Sequence, residues 1–345
     1  MKSFLTVVFV GLLGGLSALS ATGAETRFRG VMLPQRDCTE DDFRTLADWG
    51  ANVARFQIVR NWGKILDNRD LAEYNRWVDG RLDHLERSVL PWAAKYGLRI
   101  VLDLHVLPGG RRQDGDLAMF HERPYADAFV SLWRRIARRF AGWSELYGYD
   151  LVNEPCGHSQ PLTEGVADLQ ERAAKAVREI DPTTPILIES DGWASAKELA
   201  ALRPIGVTNV IYEIHMYHPQ SYTHQGVESD GWGDYPRVSY PSEGLDAETL
   251  RRWLEPAAAW QRRHGARIYV GEFSAIAWAE GNGAYLRDCI RLFESFGWDW
   301  SYHAFREWPS WSVEHVGRTG NRMVPSADNP RRRALLEGLR QNRSR

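Results

Sequence analysis

The chain has 345 residues, a length that excludes a minimal disulfide-held domain and allows either one large domain or two smaller ones. Its 43 Lys and Arg against 45 Asp and Glu leave a formal net charge of −2, so binding to nucleic acid or to anionic lipid through a general basic surface is not expected. It contains 15 Trp, 13 Tyr and 12 Phe, and so many aromatic rings suit a large core, a carbohydrate-stacking cleft, or both.

The N-terminus predicts a secretory signal peptide. Lys2 gives a positive start, Phe4–Leu19 is apolar, and small residues end at Ala24, just before the first acidic residue. An uncleaved membrane anchor is the alternative, because about 20 apolar residues can span a bilayer. We predict a signal peptide over residues 1–24 and a mature domain over residues 25–345. The mature protein is then periplasmic or secreted, with no stable membrane association.

Export permits disulfides, but the chain contains only Cys38, Cys156 and Cys289. Three thiols form one bridge at most, and the sequence does not choose the pair. A fold that depends on disulfides is therefore excluded.

From residue 28 onward, short apolar runs alternate with longer amphipathic segments. The runs that predict strands are 28–33, 52–58, 98–105, 147–153, 185–189, 210–215, 267–272 and 298–305. The segments that predict helices are 40–49, 76–96, 126–140, 163–180, 199–202, 247–263, 285–296 and 331–339. This alternation predicts a parallel sheet with helices on its faces, and eight units fit a single-domain (β/α)8 TIM barrel.

A doubly wound open sheet is the structural alternative. It usually has a G-x-G-x-x-G turn after an early strand, and no such turn follows any of the predicted strands. Long connections at 61–75, 107–124 and 217–244 follow the second, third and sixth strands. In a barrel these connections border the active face.

Polar residues stand near the C-terminal ends of the predicted strands, where a barrel carries its active site. They are Arg55, His105, Asn153, Glu154, His215, Tyr217 and Glu272. Each alone could be a structural ion pair or a satisfied core histidine. Together, on successive strands of one barrel, they are predicted to converge on one cleft.

Glu154 and Glu272, after strands four and seven, supply the two carboxyl groups that glycoside hydrolysis requires. One carboxyl must donate a proton to the leaving oxygen while the other is ionised and attacks the anomeric carbon. Arg55 would keep the attacking carboxylate ionised, and Asn153 could donate to the sugar 2-hydroxyl. The remaining three, His105, His215 and Tyr217, could hold substrate hydroxyls.

Five segments of the chain resemble glycoside hydrolase family 5, the cellulase family of clan A. They are Asn52-Val53-Ala54-Arg55, Leu102-Asp103-Leu104-His105, Asn153-Glu154-Pro155, His215-Met216-Tyr217 and Gly271-Glu272-Phe273. The resemblance runs from residue 28 to 311 and implies a (β/α)8 barrel with a retaining mechanism that needs no metal and no cofactor. It also implies that Glu154 is the acid/base, that Glu272 is the nucleophile, and that the other five residues bind substrate.

The sequence departs from that family at the eighth strand, where the family usually has a Trp that floors the cleavage subsite. Here His303 stands at about that place, so we assign the role to Trp308, with Trp300 and Trp311 as alternatives. Asp103 and Glu213, two residues before two of the histidines, are predicted to orient that layer. The Trp residues predicted to stack on sugar are Trp62, Trp193, Trp232, Trp278, Trp308 and Trp311.

The expected activity is endo-β-1,4-glucanase-like cleavage of a polysaccharide or oligosaccharide by a monomer. A β-mannanase or an exopolysaccharide hydrolase stays open, because loop side chains select the glycan. A non-catalytic polysaccharide-binding barrel would usually lose one of the two acids. A metal-dependent hydrolase would want His-x-His near the end of strand one, which reads Arg29–Leu33, and a serine esterase would want G-x-S-x-G, which is absent from the sequence.

Overall fold

Eight parallel strands form a closed barrel in the computed structural model, which describes residues 26–61, 67–227, 236–319 and 322–343. The strands of the barrel are β1 (Arg29–Met32), β2 (Val53–Gln57), β3 (Arg99–Asp103), β4 (Leu146–Asp150), β5 (Ile186–Glu189), β6 (Val210–Met216), β7 (Arg267–Phe273) and β8 (Asp299–Tyr302). Each strand pairs in parallel with the next, and β8 pairs with β1 to close the ring. The predicted TIM barrel is confirmed, and the open sheet is excluded. The predicted signal peptide (residues 1–24), Trp62 and Trp232 lie outside the described residues.

Helices cover the outside of the barrel. They are α1 (Glu40–Trp49), α2 (Leu71–His84), α3 (Leu90–Tyr96), α4 (Arg123–Phe140), α5 (Val166–Arg178), α6 (Asp191–Ala194), α7 (Ala196–Leu199), α8 (Gln220–Thr223), α9 (Ala247–His264), α10 (Asn282–Phe296) and α11 (Pro330–Arg340). α1 begins after a capping box between Thr39 and Asp42 and ends at Gly50, whose φ of 94° lies in the left-handed region.

The observed elements depart from the predicted ones in two helices and one strand pair, beyond small shifts of the boundaries. The helix predicted from residue 76 begins earlier, at Leu71, because the Asp70 carboxylate accepts the N–H groups of Ala72 and Glu73. The helix predicted at 199–202 is wrong, because the two short helices of this region, α6 and α7, lie earlier in the chain and end at Leu199. An antiparallel pair, β9 (His315–Thr319) and β10 (Arg322–Pro325), was not predicted.

The barrel interior is apolar at its base and charged above it. The base consists of Val53, Val101, Tyr147, Leu187, Ile211 and Tyr269. Two residues further along four of these strands stand Arg55, Asp103, Glu189 and Glu213. Because side chains two apart on a strand point to the same face, these charged residues form a layer between the apolar base and the cleft.

The three cysteines are buried and unbridged, which settles the open question of a disulfide. Within the described ranges, every helix is too short or too polar to cross a membrane.

Candidate active site

Glu154 and Glu272 meet at the C-terminal end of the barrel. A carboxylate oxygen of each lies within 4.8 Å of the other and of a ring nitrogen of His215. His215 Nδ1 is 3.0 Å from Glu154 Oε1 and 3.8 Å from Glu272 Oε2. Retaining glycosidases separate their carboxyl groups by about 5–5.5 Å and inverting ones by about 6.5–9.5 Å, so this spacing matches retention.

Glu272 lies inside β7, opposite His215, because a register shift after Ile214 pairs these two residues. Arg55 Nη1 donates to Glu272 Oε1 at 2.6 Å, and the Tyr217 hydroxyl donates to Oε2 at 2.8 Å. These contacts satisfy both oxygens of a carboxylate that is almost completely buried.

The pKa of Glu272 reflects opposing effects. Burial alone raises it, but the positive charges of His215 and His303 outweigh that effect and bring the pKa well below its ordinary range. The guanidinium of Arg55 and the imidazole of His105 lower it further. Glu272 is therefore ionised at neutral pH, as an attacking carboxylate must be.

Glu154 is more exposed, with 24% of its side chain accessible against 5% for Glu272. Its φ of 48° lies in the left-handed region, which costs energy for a residue with a Cβ. Two contacts hold this backbone: the Glu154 N–H donates to Glu189 Oε2 at 2.7 Å, and Arg111 Nη2 donates to the Glu154 carbonyl at 3.2 Å. The acid is thus positioned by side chains from β5 and from the loop after β3.

His215 lies between the two glutamates and the charged layer below. Its Nε2 is 3.4 Å from Glu213 Oε1 and 3.7 Å from Glu189 Oε1. Burial lowers the pKa of His215, but the negative charge of Glu272 and the hydrogen bonds to Glu154 and Glu213 raise it well above its ordinary value. A protonated His215 can therefore donate to Glu154 and lend positive charge to Glu272.

Arg55 is completely buried and faces five carboxyl groups. The distances are 2.6 Å to Asp150 and Glu272, 3.3 Å to Asp103 and Glu189, and 3.4 Å to Glu213. One guanidinium cannot neutralise five ionised carboxylates, so some of them must keep a proton.

The retained protons fall on the layer below the cleft. Burial, followed by the charge of Glu213, raises the pKa of Asp150 well above its ordinary value, and burial does the same for Glu189. Gly271 makes room for this layer, because a Cβ at that position would lie 1.5 Å from Glu213 Oε1.

His105 and Asn153 complete the wall beside Arg55. Asp103 Oδ2 lies 2.8 Å from His105 Nδ1, which fixes the ring as predicted for Asp103. Asn153 accepts from Arg55 Nη2 at 3.0 Å, and its amide nitrogen lies 3.4 Å from His105 Nε2. The structure thus brings together seven of the eight residues predicted for the site; the eighth is Trp308.

Trp308 is half-buried in the loop after β8, with its ring 5.8 Å from that of Trp311. The Trp311 ring stacks on His303 at 6.1 Å, and it is His303 that lies 3.4 Å from Glu272. Trp308 is thus linked to Glu272 through the rings of Trp311 and His303, and its role as a floor stays a prediction. Trp300 is fully buried and donates to Glu294 of α10 at 2.8 Å, so it faces the helices rather than the cleft.

Trp193 is the most exposed large apolar residue in the described chain, at 45%. The backbone N–H of Trp193 donates to the carbonyl of Pro155, the residue directly after Glu154, at 3.2 Å. The Arg111 guanidinium lies 4.3 Å from the centre of the Trp193 ring. A flat, exposed ring anchored beside the acid can stack on a sugar face, as predicted for Trp193.

Three groups of side chains in the described ranges could hold a cation, each with its ligand atoms within 4.8 Å. They are Glu154–His215–Glu272, Glu189–Glu213–His215 and Cys156–His158–Asp191. In the first group Glu272 already accepts hydrogen bonds from Arg55 and Tyr217, and Glu154 Oε1 lies 3.0 Å from His215 Nδ1, so these atoms are engaged within the protein.

An eight-stranded barrel with two carboxyl groups at this spacing defines a glycoside hydrolase. A family model described as cellulase (glycosyl hydrolase family 5) matches residues 19–305. Endoglucanase C of Acetivibrio thermocellus is 31% identical over 295 residues, covering 76% of this chain and 83% of its own. The chain belongs to glycosyl hydrolase family 5.

Two further comparisons are consistent with that family. Cellodextrinase A of Ruminococcus flavefaciens is 27% identical over 282 residues, covering 79% of each chain. The crystal structure of Thermotoga maritima Cel5A in complex with cellobiose superposes with a TM-score of 0.69 at 23% identity, covering 91% of this chain and 97% of that one. The last similarity concerns the fold.

Proposed function

We propose that this glycoside hydrolase cleaves β-1,4-linked glucan with retention, using Glu272 as nucleophile and Glu154 as acid/base. The observation that carries the proposal is the asymmetry of the pair. Glu272 is buried and is kept ionised by Arg55, Tyr217 and the flanking histidines. Glu154 is partly exposed, contacts His215, and has a carboxylate oxygen within 4.8 Å of one of Glu272. Two carboxyl groups in such different environments can take opposite protonation states.

In the first step, the Glu272 carboxylate attacks the anomeric carbon and forms a covalent ester as the glycosidic C–O bond breaks. Glu154 gives its proton to the departing oxygen, so the leaving sugar departs as a neutral alcohol. The Arg55 and Tyr217 hydrogen bonds fix the carboxylate in one orientation before the attack.

In the second step, the ionised Glu154 takes a proton from water, and the resulting hydroxide attacks the anomeric carbon. The ester bond to Glu272 breaks, and both side chains return to their starting states. Glu154 is accessible enough to meet this water, since nearly a quarter of its side chain is exposed. Asn153 and His105, beside Arg55, are placed to hold the sugar hydroxyls.

The choice of a β-glucan is supported by the family and by relatives whose names are endoglucanase and cellodextrinase. The proposal includes export to the periplasm or beyond, supported by the predicted signal peptide over residues 1–24, and action as a monomer. A β-mannan or a bacterial exopolysaccharide would use the same two acids.

The test is a reducing-sugar assay of the mature protein on cellulose, mixed-linkage glucan, mannan, xyloglucan and exopolysaccharide. We expect the highest rate on a β-1,4-glucan and a loss of activity in Glu272→Ala. Glu337→Ala, a substitution of an exposed carboxyl on α11, is the matched control and keeps the wild-type rate. A higher rate on mannan or exopolysaccharide would reassign the substrate, and a normal rate in Glu272→Ala would refute the nucleophile assignment.

A further inference from the structure

His303 occupies the place beside the nucleophile where the sequence pattern of the family led us to expect an indole. Its side chain is almost fully buried, and it lies directly after β8. Nδ1 contacts the Tyr217 hydroxyl and is 3.4 Å from Glu272 Oε2. Nε2 lies 3.2 Å from Glu307 Oε2, four residues further along the chain.

The hydrogen bonds around His303 require a particular protonation state. The Tyr217 hydroxyl has one hydrogen, which it donates to Glu272 at 2.8 Å, so it can only accept from His303. Nδ1 of His303 must therefore carry a hydrogen. Nε2 faces Glu307 Oε2; when it donates to that oxygen it carries a hydrogen as well, and the ring is an imidazolium.

The surrounding charges favour that state. Burial lowers the pKa of His303, but the negative charges of Glu272 and Glu307 raise it above its ordinary value, against a smaller opposing effect of Arg55. The Trp311 ring stacks against the imidazole, with 6.1 Å between the ring centres, and limits its movement. The groups that act on His303 thus include two carboxylates, one phenol, one distant guanidinium and one indole.

We propose that His303, braced by Glu307, is a positioning residue that aims the Tyr217 hydroxyl at Glu272 and keeps the nucleophile ionised. The chain of donors runs from the imidazolium Nδ1–H to the Tyr217 oxygen and from the Tyr217 O–H to Glu272 Oε2. The inference rests on the proposed role of Glu272.

A pair of substitutions separates the two nitrogens of the ring. The amide nitrogen of Asn can take the position of Nδ1, and the amide nitrogen of Gln can take that of Nε2. With a soluble mixed-linkage β-glucan as the probe, His303→Gln loses the contact to Tyr217, and we expect kcat to fall about tenfold with KM within about threefold. His303→Asn keeps a donor to Tyr217 and is expected to retain a kcat at least about fivefold above that of His303→Gln.

The pH profile provides a readout that packing alone would not change. The acid limb of kcat/KM reports ionisation of the nucleophile in the free enzyme. Both variants remove a positive charge close to Glu272, so we expect this limb to move up by about one pH unit. Equal kcat values in the two variants, or an unmoved acid limb, would overturn the proposal.

Glu307→Gln covers the case in which the His303 variants fail to fold. It removes the charge that stabilises the imidazolium while preserving shape, so His303 loses its proton at lower pH, a change that an NMR titration of the His303 imidazole measures. An unchanged titration of His303 would refute the brace. If Glu272→Ala stays active, the proposed function fails; if it is inactive while the His303 and Glu307 results are negative, only this inference fails.

Discussion

Arg55→Met tests how the charged layer holds the barrel together. Arg55 is completely buried, with two carboxylates at 2.6 Å and three more at 3.3–3.4 Å. Methionine has a similar length but leaves these carboxyls without their cation. Removing one partner of a buried ion pair costs about 3–5 kcal/mol, and five shared partners place this variant at the upper end. At roughly 2 °C per kcal/mol, we expect the Tm to fall by about 10 °C.

The loss should depend on pH. Asp150 and Glu189 have raised pKa values, so the native state holds protons that the unfolded chain releases, and their effect on stability becomes less favourable as pH rises through those values. Glu272 has a lowered pKa, so its contribution is present above its unfolded value and is lost as pH falls through its folded value. Removing Arg55 raises the pKa of all three, so the free energy of unfolding should fall more at pH 8 than at pH 5.

Urea unfolding followed by tryptophan fluorescence at pH 5 and pH 8 measures both effects. Arg333→Met is the matched control, because Arg333 pairs with Asp328 at the surface and its loss should cost no more than about 1 kcal/mol. A stability equal to wild type in Arg55→Met, or a larger loss at pH 5 than at pH 8, would refute the reasoning about this layer.

Three further outcomes are expected. Gly271→Ala forces a Cβ against Glu213 and should lower the free energy of unfolding in urea by about 1–3 kcal/mol. Gly80→Ala is the control, because its added Cβ meets nothing within 4 Å, and it should be neutral or stabilising. Equal effects of the two substitutions would contradict the steric argument. Trp193→Ala should raise KM about threefold to tenfold on a β-glucan with an unchanged Tm, and an unchanged KM would remove Trp193 from the cleft. EDTA should leave the hydrolysis rate unchanged, because both oxygens of Glu272 and the Glu154 oxygen that faces His215 are engaged within the protein. Activity that is lost to EDTA and restored by zinc would contradict this.

The barrel could be predicted because strand–helix alternation is a local property of the sequence. The two glutamates could also be predicted, because each stands near the C-terminal end of a strand within a short polar motif, Asn153-Glu154-Pro155 or Gly271-Glu272-Phe273. Residues at the ends of parallel strands must meet on one face, so their position along the chain already fixes their proximity.

Asp150 and Glu189 were missed as members of the charged layer. Their importance comes from the register of neighbouring strands, which aligns them around Arg55. Period-two spacing could have indicated Glu189, which stands two residues after Leu187 of the apolar base. Asp150 stands three residues after Tyr147, and the register shift between β3 and β4 hides its alignment.

The contact between His303 and Tyr217 could not be predicted, because the path of the chain after β8 decides it. Trp308 was chosen for its residue type, whereas the structure places His303 against Tyr217 and links Trp308 to His303 through the Trp311 ring.

Covalent trapping tests the central assignment most directly. A 2-deoxy-2-fluoro cellobioside with a good leaving group slows hydrolysis of the glycosyl-enzyme, so the ester accumulates and can be located by peptide mass spectrometry. We expect one label per chain, on Glu272, and a faster loss of activity in the wild type than in Glu272→Gln. A label on Glu154 or elsewhere, or inactivation without any covalent label, would contradict it.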